Sequence, residues 1–148
     1  MKSSFERTLK YSFLLLKYRA RSRSEIVSCL GKKRFDQAVI DKVLAFLEEN
    51  NYINDKEFAS HFVSFFKQEG WGPKKIILKL QKLGIAEDLI EDTLKDKLGF
   101  RQRMKELIEE KTGQDKSLAN QQKLFRFLLS RGFSYDDICQ ALGEYEYK

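Results

Sequence analysis

The sequence predicts an all-α protein: three tandem three-helix repeats stacked into an elongated, curved molecule. Three observations carry that expectation. Apolar residues recur with helical period along almost the whole chain, helix start and stop signals alternate along it, and one pattern of apolar positions appears three times.

From the N-terminus, Leu9, Phe13 and Leu16 fall at i, i+4 and i+7, one face of a helix. Ile26 and Leu30 set the same period until Lys33, where the last turn gives way to charge. Ser22 with Glu25 fits a capping box, Asn54 with Glu57 fits a second, and Ser134 with Asp137 a weaker third. Gly70, Gly84, Gly99, Gly113 and Gly132 are stop signals. Gly70, Gly84 and Gly132 stand directly before an apolar residue, as a left-handed C-cap followed by a hydrophobic contact requires. Alternating, strand-like runs are absent.

The repeat emerges when Glu25–Leu44, Lys75–Leu94 and Lys123–Leu142 are laid over one another without gaps, at offsets of 50 and 48. Apolar residues coincide at Ile26/Ile76/Leu124, Val27/Ile77/Phe125, Leu30/Leu80/Leu128, Phe35/Ile85/Phe133, Ile40/Ile90/Ile138 and Leu44/Leu94/Leu142. Each copy reads as a helix, a break at Phe35, Ile85 or Phe133, and a second helix, with a further amphipathic stretch before it. The expected repeats are 1–50, 51–98 and 99–148, about nine helices in all. Helices of ~10 to 15 residues are marginal alone, so such modules must stack to be stable.

The stretch Glu69–Ile76, EGWGPKKI, holds the only Trp and the only Pro. Gly70 ends one helix, Trp71 occupies the connector, and Pro73 fits the first position of the next helix, where its missing N–H costs nothing. Beyond it Ile76, Leu80 and Leu83 form an inward stripe, and Lys75, Lys79 and Lys82 a cationic stripe of the same spacing. Trp71 either packs into an inter-repeat seam beside a merely solvated row of lysines, or the turn faces a partner. Recurrence favours the partner, because Arg19, Arg21 and Arg23 stand at the equivalent turn of the first repeat, and Lys32, Lys33 and Arg34 at the equivalent helix end.

Charge is uneven. The net +6 divides into ten basic residues against two acids through Arg34, a local +8, and −2 over the remainder. That favours a polyanion or an acidic protein surface as partner. Cys29 and Cys139 are too few for a disulfide framework or a thiolate metal site, which points to the cytoplasm and to two buried free thiols. The longest apolar run, Phe13–Leu16, is far too short to span a bilayer, and no secretory signal pattern is present.

The strings GWGPKKI (Gly70–Ile76), YINDKEFA (Tyr52–Ala59) and RFLLSRGFSYDDI (Arg126–Ile138) together resemble the RecX family of bacterial recombinase regulators. The resemblance covers nearly the whole chain and includes the three repeats in order. It implies an all-helical, repeat-built protein, expected as a monomer, that binds the RecA nucleoprotein filament, lies along its helical groove, and restrains its ATP hydrolysis, strand exchange and coprotease activity. It carries over Gly70, Trp71, Gly72, Pro73, Lys74 and Lys75 as one motif, and Arg131, Gly132, Phe133, Ser134 and Tyr135 as another. The family more often has Tyr where this chain has Trp71. The chain has almost no lead-in before the first repeat, and Glu106–Asn120 is less regular than the rest. Lys67 and Arg126 join the candidate RecA- or DNA-contacting residues named above.

Catalytic chemistry lacks a constellation. His61 is the only histidine and reads as a structural or surface residue, no carboxylate cluster stands beside it, and no Gly-rich phosphate loop exists, so neither an active site, a metal nor a cofactor is expected. The acidic pairs Glu87/Asp88 and Asp136/Asp137 complement helix N-termini. Three binding roles stay open: a RecA filament regulator with DNA phosphates as secondary contacts, a nonspecific nucleic-acid-binding helical repeat protein, and a helical adaptor.

Overall fold

The computed structural model describes residues 3–113, 115 and 117–146, the last three by their backbone alone. Nine helices and no strand occur among them: α1 Ser4–Tyr18, α2 Arg23–Lys32, α3 Gln37–Glu49, α4 Asp55–Gln68, α5 Pro73–Lys82, α6 Glu87–Thr93, α7 Lys97–Thr112, α8 Leu118–Ser130 and α9 Tyr135–Glu146. The all-α, three-helix-repeat expectation therefore holds. The chain forms two compact units, one from the residues up to Ser60 with Leu80–Leu89, the other from His61–Lys79 with the residues from Ile90 onward.

In the first unit α1, α2 and α3 pack on each other around Ile26, Leu30, Ile40, Val43, Leu44, Leu47 and Ile53. Leu9, Phe13 and Leu16 pack against that core only half-buried, while the fully buried side chains of α1 are Thr8 and Ser12. Their hydroxyls donate back to the carbonyls of Ser4 (2.7 Å) and Thr8 (2.9 Å), so small polar residues lie on the inner face with their hydroxyls satisfied. In the second unit α7, α8 and α9 pack on each other, burying Phe100, Met104, Leu107, Leu124, Leu128, Phe133 and Ile138.

Caps explain where the helices begin. Ser22 and Glu25 form the full capping box on α2, and Asn54 Oδ1 and Ser134 Oγ accept from the Glu57 and Asp137 amides at 3.1 Å each. Ser3, Asp96 and Ser117 cap α1, α7 and α8 in the same way. Asp96 corrects one expectation: Gly99 is not a stop but the third residue of α7, its amide donated to Asp96 Oδ1 at 3.0 Å. The stretch expected to be irregular from Glu106 continues α7 to Thr112, ending at Gly113.

Five helix ends share one geometry. The residue two past the cap donates to the carbonyl three residues inside the helix: Phe35 to Leu30 (3.3 Å), Tyr52 to Leu47 (2.8 Å), Trp71 to Phe66 (2.9 Å), Ile85 to Leu80 (3.1 Å) and Phe133 to Leu128 (3.2 Å). The residue before each is left-handed, namely Arg34, Asn51, Gly70, Gly84 and Gly132. Arg34 and Asn51 escape a search for glycine. Arg34 aligns with Gly84 and Gly132, so the three repeats turn alike with different residues.

At two of the three glycines, Gly84 and Gly132, the turn also enters one of a pair of equivalent seams, one in each unit. In the second unit the amides of Gly72 and Lys74, at the start of α5, donate to the carbonyls of Arg131 (2.6 Å) and Gly132 (3.0 Å), at the end of α8. In the first unit the hydroxyls of Ser22 and Ser24, at the start of α2, donate to the carbonyls of Leu83 (2.6 Å) and Gly84 (3.4 Å), at the end of α5. Ser22 aligns with Gly72, and Leu83 with Arg131. Each seam joins donors at one helix start to orphan carbonyls at another helix end. A Cβ on Gly132 would stand 2.5 Å from Lys75 N and Cβ, and one on Gly72 would stand 2.5 Å from Phe133 N. Arg34, by contrast, is exposed.

Gly132→Ala should therefore destabilise the protein by about 2–4 kcal/mol, a left-handed alanine plus an overpacked backbone contact. Arg34→Gly should change stability by less than about 1 kcal/mol, strain relief offsetting unfolded-chain entropy. Urea unfolding of both variants checks the contrast.

Candidate partner-binding surface

Two arginines of the first repeat gather on one carboxylate. Glu25, already bonded to the Ser22 amide at 3.2 Å, takes the Arg19 guanidinium through two nitrogens and lies 3.8 Å from that of Arg21. The hydrogen bond with Glu25 raises the Arg19 pKa further above its already high value. Arg21 is only 18% exposed and also donates to the Leu15 carbonyl. Arg23 pairs with Glu48 at 2.6 Å, and its amide donates to Asp55 Oδ1 at 2.8 Å. Of the second cluster, Lys33 lies 5.3 Å from the centre of the Tyr11 ring, while Lys32 and Arg34 are exposed.

In the second unit Trp71 stacks on Phe66, ring centres 4.1 Å apart, and Lys75 Nζ sits 4.3 Å from the indole centre. Phe66 is in turn tilted against Phe62 and edge-on to Phe65. Trp71 and Lys75 are both half-buried, so the Trp is a packing residue of its own unit and Lys75 its cationic cover. Lys67 pairs with Asp96 at 3.1 Å, and Arg131 lies over Phe127 at 5.1 Å. Lys74, Lys79 and Arg126 are exposed. Lys82, exposed, belongs to the first unit.

The fourteen candidates thus divide. Arg19, Arg21, Arg23, Lys33, Lys67, Trp71, Lys75 and Arg131 are engaged within the protein, and Lys32, Arg34, Lys74, Lys79, Lys82 and Arg126 enter no ion pair among the described residues. Arg7 and Lys17 on α1, not singled out from the sequence, are also exposed. Their signal was present as spacing along one helix face, but it was hidden by the denser run of arginines that follows.

Other side chains bear on chemistry. His61 is exposed on α4, and no group of three or more His, Cys, Asp or Glu placed to hold a metal occurs among the described residues. Among the same residues no helix is long and apolar enough to cross a membrane. The thiols correct the sequence expectation: Cys29 is half-buried and Cys139 exposed, because α9 turns its neighbour Ile138 into the core. A hydrogen bond with Cys139 raises the Tyr135 phenol.

The three repeats match, in order, the descriptions "RecX, first three-helix domain" over residues 10–47, "RecX, second three-helix domain" over 54–94 and "RecX, third three-helix domain" over 101–142. The chain belongs to the RecX family. It is similar to the regulatory protein RecX of Bacillus subtilis (strain 168), 33% identical over 155 residues that take in all of this chain and 57% of that protein. The RecX of Haemophilus ducreyi is 29% identical over 145 residues, 93% of this chain and 96% of that one. The crystal structure of RecX from Lactobacillus salivarius superposes with a TM-score of 0.85 at 26% identity, covering 98% of each chain. The chain spans just over half the length of the Bacillus relative, and nearly all of the Haemophilus RecX and the Lactobacillus chain.

Two outcomes follow from this geometry. Lys75→Glu should lower stability by about 1 kcal/mol through loss of its place over Trp71. Lys74→Glu should leave stability unchanged or raise it by about 0.3–1 kcal/mol, since an acid suits a helix start. Thermal melts distinguish the two. The Gly99 amide and then Lys67 hold the Asp96 carboxyl below the usual carboxylate range. A depressed folded pKa supplies stability that is present above the ordinary carboxylate pKa and lost as pH falls through the folded one. Asp96→Asn should flatten that acid limb in melts taken from neutral pH downward.

Proposed function

We propose that this chain is a regulator of the RecA recombinase that binds the RecA nucleoprotein filament along its groove and restrains ATP hydrolysis, strand exchange and coprotease activity. The ordered match of three RecX three-helix domains carries this proposal. The functional repeats are 1–50, 51–98 and 99–148, and the protein works as a cytoplasmic monomer without catalysis of its own.

The mechanism is steric and electrostatic. A filament whose subunits shift between nucleotide states is biased by any ligand that binds one state better, and no active site is needed for that. The candidate side chains that suit acidic protein surface or phosphate are those that are exposed and enter no ion pair among the described residues: Lys32, Arg34 and Lys82 in the first unit, and Lys74, Lys79 and Arg126 in the second. Pro73 sets the backbone direction immediately before Lys74, so that cation projects from a rigid helix start and loses little freedom on binding.

Titration against RecA alone, DNA alone and the RecA filament tests the assignment. Preference for the filament, with slowed DNA-dependent ATP hydrolysis at substoichiometric protein, is expected. Equally tight binding to bare DNA, with unchanged RecA rates, would transfer the protein to the nonspecific nucleic-acid class. Lys74→Glu/Lys79→Glu should keep the helical circular dichroism of the parent and weaken filament binding by about 1–3 kcal/mol, the scale of charge-assisted hydrogen bonds. Binding should also fall steeply with added salt.

A further inference from the structure

In the first unit an open groove of about 610 Å³ runs between α1 and the turn at Lys33–Phe35. Its floor is apolar, formed by Tyr11, Phe13 and Phe35 with Leu14, which is 48% exposed. Its rim is cationic: Arg7, Lys10 and Lys17 come from α1 and Lys33 from the turn, and no carboxylate among the described residues lines it. No salt bridge among the described residues engages Arg7, Lys17 or Lys33. Within the basic excess of the first 34 residues, the arginines from 19 to 23 are held by Glu25 and Glu48, whereas Arg7, Lys17 and Lys33 border an apolar floor and enter no salt bridge among the described residues.

We propose that this groove docks an acidic amphipathic helix of a partner protein. The floor calls for apolar side chains and the rim for carboxylates beside them. Arg7, Leu14 and Lys17 lie at i, i+7 and i+10 on α1, a span of about 15 Å at 1.5 Å per residue. That length takes a helix of about three turns, whose anchors at i, i+3 or i+4 and i+7 are the usual mode of helix-in-groove recognition.

A single-stranded nucleic acid fits the floor less well, because stacking needs open ring faces. Lys33 Nζ lies over the Tyr11 ring, 5.3 Å from its centre, and Phe35 packs against the same ring at 6.0 Å. Phe13 is packed edge-to-face with Tyr52 at 4.9 Å. The open centre of the floor is Leu14, which has no face to stack on. The proposal supplies a partner chemistry for the regulator described above without depending on which protein carries the helix, and a synthetic probe keeps the two separate.

The probe is a fluorescein-labelled helical peptide of about four turns, with Leu at i, i+3, i+4 and i+7 and Glu elsewhere, titrated into the full chain by anisotropy and by amide NMR. Saturable binding with shifts centred on Tyr11, Leu14 and Phe35 is expected, and a Lys-for-Glu version should not bind. Leu14→Asp, on an exposed position, should weaken binding at least about tenfold. Arg7→Glu/Lys17→Glu should do the same and flatten the salt dependence. Absence of saturable binding, or binding indifferent to both variants, would overturn the proposal. So would displacement of the peptide by oligothymidylate that shifts the same resonances, an outcome that assigns the groove to nucleic acid. A failed peptide titration with intact filament inhibition removes this groove from the mechanism and leaves the RecA assignment standing.

Discussion

The fold depends on helix ends satisfying one another. A helix leaves its first amides and last carbonyls without internal partners, and nine short helices among the described residues multiply that deficit. In both units the same repair is made: carbonyls exposed by a left-handed turn meet donors at the start of a helix from the neighbouring repeat. In the second unit the donors are the backbone amides of Gly72 and Lys74, and in the first they are the hydroxyls of Ser22 and Ser24. The chemistry differs and the register does not. Backbone-to-backbone contact leaves no room for a Cβ at Gly72 and Gly132, and in the first unit the Ser24 side chain fills the space that a Cβ on Gly84 would need.

That seam reorders the meaning of the Gly70–Ile76 motif. Gly70 turns left-handed at the end of α4, Gly72 serves close approach and Pro73 starts α5, so of the motif's two lysines only Lys74 keeps its side chain exposed. Trp71 uses its area on Phe66 and is partly covered by Lys75. An aromatic body with a cation over it stiffens the turn from which Lys74 projects. Under the proposed function, rigidity at that point would reduce the entropy lost when Lys74 binds.

Charge is distributed by a similar economy. Glu25 closes the α2 capping box and also gathers Arg19 and Arg21, and Glu48 holds Arg23. These pairs lie at or near the surface and contribute modestly to stability. Their greater effect is on what remains for binding, since they withdraw the densest cationic run from competition. Arg7, Lys17 and Lys33, more sparsely spaced in sequence, end on one groove over an apolar floor. Local density of basic residues is thus a poor guide to available charge.

The sequence by itself determined the helical class, the three repeats and several helix starts, because these follow from short-range effects: apolar period, a Ser or Asn at the N-cap, a glycine free to turn left-handed. It also singled out Gly132 as a left-handed stop and Gly72 by resemblance, without the seam that leaves no room for a Cβ at either. Where local signals had two meanings it misled, as at Gly99, whose amide is capped by Asp96 inside a helix, and at Cys139, which lies one position beyond the buried face of α9. The break at Phe35 was legible, but Arg34 and Asn51 were not legible as left-handed residues, because their identities do not advertise that conformation. Only the tertiary structure decided which cations are engaged and which remain available. A salt bridge joins residues by distance in space, and Glu48 reaches Arg23, or Asp96 reaches Lys67, across separations that no sequence window spans.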